Sequence, residues 1–294
     1  MKRFLPYIAA LVVVVMWASA YAFARYTFVV YTPRALILTR YVIASATLLA
    51  VNFALSRGKP RLPDKRDMPL FAISGFFGIF LHTWLLHEGL ERVYAGVSSF
   101  IMAFNPAVAM LLSVVVLKET LPRKSYYGLG LSLLGLVLVT LLQAEGFEVN
   151  PGVFMLLVSA VMVGIYHILQ RRILQKYKPI EASSYCVLLG MLPMLAFLPQ
   201  TIQAISIADT RTNLIVIYLG TLPTALGFLL WGYALSKAAN TTHITNLLFL
   251  MPFISSLTGL ALGETITLLE LLGGILIVLG MAISRYYSVR VKPT

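Results

Sequence analysis

Charge, and acidic charge above all, is what this sequence has least of. Only 12% of its 294 residues are charged and only 11 are acidic, while 59% are hydrophobic and the mean hydropathy is +0.87. A soluble domain of that composition would expose a largely apolar surface, so a soluble fold is excluded and a membrane protein is indicated. Cysteine is nearly absent as well. Cys186 stands alone inside an apolar run, which excludes an intramolecular disulfide and carries no redox information. There is no G-x-x-x-x-G-K-[ST] loop, so nucleotide hydrolysis on this chain is excluded. Two catalytic patterns begin and fail. His87-Glu88-Gly89-Leu90-Glu91 has Glu91 where a zinc-binding helix needs its second histidine, and Gly96-Val97-Ser98-Ser99-Phe100 lacks the second glycine of a nucleophile elbow. The chain is therefore not expected to be an enzyme, to hold a metal or to need a cofactor.

What is present is long apolar runs. A helix needs roughly 20 apolar residues to cross the hydrocarbon. Runs bounded by charge or proline predict ten such helices, at 6–24, 35–55, 69–90, 95–117, 125–143, 152–170, 182–200, 213–236, 244–262 and 268–286. The first run follows Lys2 and Arg3 and contains Ala18-Ser19-Ala20, a pattern shared with cleavable signal peptides. Its length favours a span. No nucleic-acid partner is expected despite a net charge of +12, because the basic residues gather at helix ends without interleaved aromatics.

Those basic residues fix an expected orientation. With the N-terminus inside, the inner side collects Lys2, Arg3, Arg57, Lys59, Arg61, Lys65, Arg66, Lys118, Arg123, Lys124, Arg171, Arg172, Lys176, Lys178, Lys237, Arg285, Arg290 and Lys292. The outer side has Arg25, Arg34, Arg92 and Arg211, and Arg40 lies within the second span. Such a bias is the positive-inside rule, with both termini cytoplasmic in a bacterial-type inner membrane.

The sequence is also duplicated. Leu90, Glu119, Gly128 and Gly135 are echoed 145 positions later by Leu235, Glu264, Gly273 and Gly280. Five helices per copy reverse the second copy, so the expected architecture is all-α, with ten transmembrane helices in two inverted five-helix repeats, 1–147 and 148–294. The register is imperfect: Pro106 precedes Glu119 by 13 residues, and Pro252 precedes Glu264 by 12.

At these residues the chain resembles the drug/metabolite transporter superfamily in its ten-helix EamA branch. The likeness rests on Trp17-Ala18-Ser19, Leu90, Ala95-Gly96-Val97, Pro106, Leu117-Lys118-Glu119, Gly128 and Gly135, with echoes at Pro252, Leu262-Gly263-Glu264, Gly273 and Gly280. It implies a secondary transporter, typically an exporter of amino acids, metabolites or toxic compounds. It also implies a central cavity from helices one to four and six to nine, with helices five and ten as scaffold. An intramembrane enzyme and a passive channel are the rival classes. The first span carries no acidic residue, unlike the proton-coupled small multidrug pumps of the same superfamily. The partners expected are a small-molecule substrate and the lipid bilayer. Proton coupling, and monomer or homodimer, are left open.

Polar groups inside spans are costly and are candidates by default. For substrate binding these are Trp17, Tyr21, Arg40, His82, Trp84, Asn105, Tyr166, His167, Trp231 and Asn246. The aromatics among them are equally suited to an interfacial belt. Proton-coupling candidates are His82, His87 and Glu88. The bland alternative places His87, Glu88, Glu91 and Arg92 in one ion cluster at the helix end, with His82 a satisfied core histidine. Arg40 is read either as an interfacial anchor or as a clamp for a carboxylate. Glu119, Glu264, Pro106 and Pro252 are structural or gating candidates. The residues without a repeat counterpart, taken as Asn105, His82, Tyr166 and Trp231, are expected to choose the cargo.

Overall fold

A computed structural model describes residues 4–117, 121–142, 150–237 and 246–289. Among the described residues every regular element is helical. Nine helices among the described residues are long and apolar enough to cross a membrane, and a tenth apolar helix is shorter. In chain order they are α1 (Leu5–Thr27), α2 (Pro33–Leu55), α3 (Met68–Arg92), α4 (Ala95–Met102 and Asn105–Leu117), α5 (Arg123–Leu142), α6 (Pro151–Leu174), α7 (Pro179–Ile207), α8 (Thr210–Ala234), α9 (Leu247–Ala261) and α10 (Leu268–Val289). The protein is a multi-pass membrane protein.

Local chemistry starts these helices where the chain enters the apolar phase. Pro33, Pro151 and Pro179 stand in first turns, where a missing N–H costs nothing. Thr32 Oγ1 accepts from the Ala35 amide at 3.2 Å, Asn150 Oδ1 from Gly152 at 2.8 Å and Asp209 Oδ1 from Thr212 at 3.0 Å. In α10, Thr267 and Glu270 cap each other reciprocally.

The fourth and ninth helices depart from the continuous spans expected. Pro106 has no amide to give Met102, so α4 breaks at Ala103 and Phe104 in a tight turn, and a new helix begins at Asn105. Pro252 acts alike: α9 opens as a 3-10 turn over Leu247–Leu250 and becomes α-helical at Met251. Two wide-turn π segments were not foreseen either, Phe76–Leu81 in α3 and Gly220–Leu226 in α8. They fall at equivalent places in the two repeats.

The seam between α5 and α10 establishes the inversion. A Cβ on Gly128 would lie 2.5 Å from the Gly280 carbonyl, and one on Gly135 would lie 2.5 Å from the Gly273 carbonyl. Since Gly273 is the counterpart of Gly128 and Gly280 that of Gly135, each contact is the image of the other. That is the signature of a twofold axis between antiparallel helices. Ser132 Oγ donates to the Ile277 carbonyl at 2.9 Å, a residue bonded to its own counterpart, so the axis passes there. The other pairings obey the same symmetry: α1 packs on α8 as α6 packs on α3, and α1 on α9 as α6 on α4.

Candidate transport site

None of the eleven acidic residues stands in the middle of a span, yet one arginine does. Arg40 is seven residues into α2, about 10 Å from its start at 1.5 Å per residue. It does not snorkel outward as an interfacial anchor would. Its Nε donates to Thr224 Oγ1 at 2.7 Å, and its Nη1 to His87 Nε2 at 3.3 Å. Because a guanidinium has no acceptor, His87 Nε2 must receive; the other ring nitrogen then carries the proton and donates to the Thr83 carbonyl at 2.8 Å. Tyr21, Tyr41 and Tyr218 lie within electrostatic reach of the guanidinium, and the Tyr218 hydroxyl is paired with Ser19 at 2.7 Å. Among the described residues no carboxylate pairs with Arg40.

The π segment of α8 explains how Thr224 arrives there. Pro223 breaks the regular ladder, and its carbonyl accepts from Trp17 Nε1 at 2.7 Å. The next residue, Thr224, donates to the Leu219 carbonyl at 2.8 Å and so offers its lone pair to Arg40. The π segment of α3 ends at Leu81, immediately before His82. His82 Nδ1 lies 3.1 Å from the Ser159 carbonyl, which can only accept, so Nδ1 holds the proton and Nε2 is a bare acceptor. Arg40 and His167 are both within electrostatic reach of His82. Arg40, Tyr21, His82, Trp17 and Trp231 are all half-buried within their spans, and Arg40, Trp17 and His82 find their hydrogen-bond partners on other helices, so these polar groups converge between the helices.

The remaining candidates divide. Trp231 stacks obliquely on Trp17, ring centroids 5.3 Å apart, beside the π segment. Tyr166 is buried over Gly78, where any side chain would collide with its ring, and its hydroxyl accepts from Gln170 at 2.7 Å. Tyr166 also follows Tyr21 by 145 positions, so it has a repeat counterpart, contrary to the expectation that it was unmatched. His167 is exposed beside it. Asn105 opens the second piece of α4 with its Oδ1 buried and without a hydrogen-bond partner. Asn246 is exposed at the start of α9, and Trp84 stacks between Phe80 and Phe197 while donating to Glu88 at 3.0 Å. The structure brings neither of these last two to Arg40.

The ion cluster expected at the end of α3 exists without its histidine. One residue is about 100° of helix, so His87 faces Arg40 while Glu88 faces Arg34 at 2.8 Å and Arg92 at 3.4 Å. At the same end Arg25 pairs with Glu264 at 3.0 Å and donates to the Leu90 and Val93 carbonyls at 2.6 and 2.9 Å. Glu264 Oε2 accepts from the Ala95 amide at 2.8 Å. Its repeat counterpart, Glu119, lies outside the described residues. The opposite end is tied by Lys176, 2.6 Å from both Asp64 and Asp67, and by Tyr177, 2.6 Å from Asp67. An open cleft of about 510 Å³ lies there, bordered by Arg57, Lys59, Arg61, Lys176 and Lys178 and by one acidic residue, Glu181.

Sequence reasoning missed Thr224, Tyr218 and Ser159. Hydroxyls in apolar runs are common, and the one usable signal was Pro223 in what should have been a helix interior.

Two inverted helical bundles with polar groups gathered between them are the architecture of a transporter family, and the chain's similarity to known proteins points to a membrane transporter, not an enzyme. The EamA-like transporter family model matches residues 4–141 and again 150–286, and the chain belongs to that family. It is 33% identical over 267 residues to the uncharacterized transporter YdfC of Bacillus subtilis (strain 168), covering 90% of this chain and 86% of that one. It is 29% identical over 273 residues to a protein of Streptantibioticus cattleyicolor named "Probable terminal-alkyne amino-acid exporter", covering 93% and 91%. A solved structure, titled only as the crystal structure of a protein, superposes with a TM-score of 0.66 at 19% identity over 97% of this chain and 98% of that one, a likeness of fold alone.

Proposed function

We propose that this protein exports a small organic solute of the amino-acid class by alternating access, with both termini in the cytoplasm. The observation that carries the reading is the pair of ion clusters on either side of the polar groups around Arg40, each of which crosses from one repeat to the other. Arg25 and Glu264 join α1 to the α9–α10 connection at one end, and Asp64 and Asp67 hold Lys176 at the other. Rocking the repeats about the α5–α10 seam separates one cluster while preserving its opposite. The Streptantibioticus relative's name supports the substrate class, and the basic residues around the 510 Å³ cleft support a cytoplasmic position for that end.

A proton is the coupling ion this reading favours, with His82 as its carrier. Among the described residues the Nε2 of His82 is an acceptor without a hydrogen-bond partner, whereas a proton on His87 Nε2 would face a guanidinium at hydrogen-bond distance. Purified protein in liposomes should exchange labelled amino acids against an internal excess, faster with an imposed pH gradient. Single cysteines replacing Lys65 and Ser206 in a Cys186→Ala background should react from opposite sides of the membrane. Reaction of both from the same side would sink the topology.

A further inference from the structure

We propose that Arg40 is the carboxylate-binding group of the transport site, so that the solute carried has a free carboxylate; this deepens the transport reading and rests on it. An arginine within a membrane span, even one only half-buried, is stabilised by an anion or a full set of acceptors, because withdrawing an ion from water costs up to several kcal/mol. Arg40 has neither. Two of its nitrogens reach a hydroxyl and an imidazole, both neutral, and no carboxylate of the described residues completes the pair. Its remaining Nη2 has no partner among them, on a half-buried side chain. A planar guanidinium offering parallel donors fits a carboxylate in a way no neutral solute reproduces.

The surroundings fit the rest of an amino acid. His82 Nε2 is an acceptor without a partner among the described residues and within electrostatic reach of Arg40, suited to an ammonium N–H. The Tyr41 ring centroid lies 5.9 Å from the guanidinium carbon and offers an aromatic face beside it. The basic cleft at the proposed cytoplasmic end raises the local concentration of anions at the entrance. The arrangement is specific to one repeat. A Cβ on Gly220 would lie 2.9 Å from the Arg40 carbonyl, and its counterpart Gly75 makes the equivalent approach to the carbonyl of Cys186 at 2.6 Å. One half of the pseudo-symmetric molecule thus holds a cation where the other holds a buried thiol.

The test compares each of the twenty L-amino acids with its C-terminal amide, first by thermal shift of the protein in detergent and then by exchange in liposomes. The wild type should be stabilised by at least one acid and discriminate against its amide at least tenfold. Arg40→Lys should keep part of that preference, and Arg40→Gln should abolish it. Arg40→Gln should also melt no lower than the wild type without ligand, since it removes an unpaired charge. Equal handling of acid and amide by the wild type would overturn the proposal, as would acid preference surviving in Arg40→Gln. So would a lower melting temperature of Arg40→Gln in a protein that binds no acid. The two readings fail separately: a protein that binds acids in detergent but moves none across liposomes refutes transport and leaves Arg40 standing, whereas one that moves amides and not acids does the reverse.

Discussion

The seam between α5 and α10 and the polar cluster around Arg40 are built from the same duplicated sequence, and they use the duplication in opposite ways. Along the seam, symmetry is kept to the residue: Gly128 meets Gly280 as Gly135 meets Gly273, and Ser132 bonds its own counterpart. In the cluster the equivalent backbone approach is kept, Gly220 on Arg40 and Gly75 on Cys186, but the side chains it delivers have nothing in common. Backbone geometry tolerates no divergence where helices touch. Side chains held off that contact are free to diverge, and a ligand is recognised by what diverged.

The comparison breaks most easily at the seam. Alanine at Gly128 or Gly135 puts a Cβ 2.5 Å from a carbonyl oxygen on the facing helix, and backbone cannot rotate away as a side chain would. Overpacking of this kind costs about 2–3 kcal/mol. The melting temperature in detergent should fall sharply and equally for Gly128→Ala and Gly280→Ala. The double variant should cost far less than the sum, because one helix separation relieves both. Gly130 has nothing within 4 Å of its Cβ position, so Gly130→Ala should be neutral or raise stability by up to about 1 kcal/mol through helix propensity. A Gly130→Ala loss equal to that of Gly135→Ala would mean that the cost does not come from contact at the seam.

Next in size is the tie between Arg25 and Glu264, whose side chains are 24% and 13% exposed. Glu264→Gln keeps an acceptor for the Ala95 amide but loses the charge that holds Arg25, and charge-assisted bonds of this kind are worth about 1.5–3 kcal/mol. Thermal denaturation should show that loss in Glu264→Gln and a larger one in Arg25→Ala, which also frees the carbonyls of Leu90 and Val93. If neither variant shifts the melting temperature, this end is no brace and the alternating-access reading loses one of its two closures.

Asn105→Leu should run the other way. The buried Oδ1 of Asn105 has no partner, and an unsatisfied acceptor costs about 1–3 kcal/mol. Replacing it by an apolar group of similar size should raise the melting temperature by part of that while lowering exchange in liposomes. A stabilised variant with unchanged exchange would remove Asn105 from the transport path and leave it a flaw of the α4 break.

These cases show which parts of the molecule could be read from the chain. The helices, their number and the inversion were legible because they follow from hydropathy, charge asymmetry and a repeat of 145, all of which are one-dimensional. The break in α4 was half legible: Pro106 announced a freed carbonyl, though not that the helix would restart at Asn105. The site was less so. Arg40 was visible as an isolated charge, but whether it turned to lipid headgroups or inward depended on Thr224, which reaches it only because Pro223 opens a π segment in α8. His87 and Glu88 are neighbours in sequence and were grouped for that reason. Helix rotation sends one to Arg40 and the other to Arg34, a separation no linear pattern displays.

The smallest effect is expected at the far end, where Asp67, Asp64 and Lys176 look like the Arg25–Glu264 tie and differ from it in solvation. Lys176 and Asp64 are about half exposed, 46% and 51%, and Asp67 is 25% exposed, so water and salt screen the lysine's attractions more than those within the Arg25–Glu264 pair. Hydrogen bonds from Lys176 and Tyr177 hold the Asp67 carboxyl below its ordinary 3.8, and bonds to Asp64 and Asp67 hold the Lys176 ammonium above its ordinary 10.5. A depressed carboxyl stabilises the fold above its unfolded value and loses that contribution as pH falls through the folded one. A raised ammonium stabilises below 10.5 and loses its contribution as pH climbs beyond. The cluster is therefore indifferent to pH through the neutral range and fails only in strong acid or base. Asp67→Asn should lower the melting temperature at pH 7 only slightly, less than Glu264→Gln does, and the difference from the wild type should shrink further when salt is raised. In transport the same variant should favour opening of this end, because an exposed tie that contributes little to stability can still bias two states that differ by little. An Asp67→Asn loss matching that of Glu264→Gln would make the two ends equivalent, and the cleft beside Lys176 would then be a sealed mouth rather than an entrance.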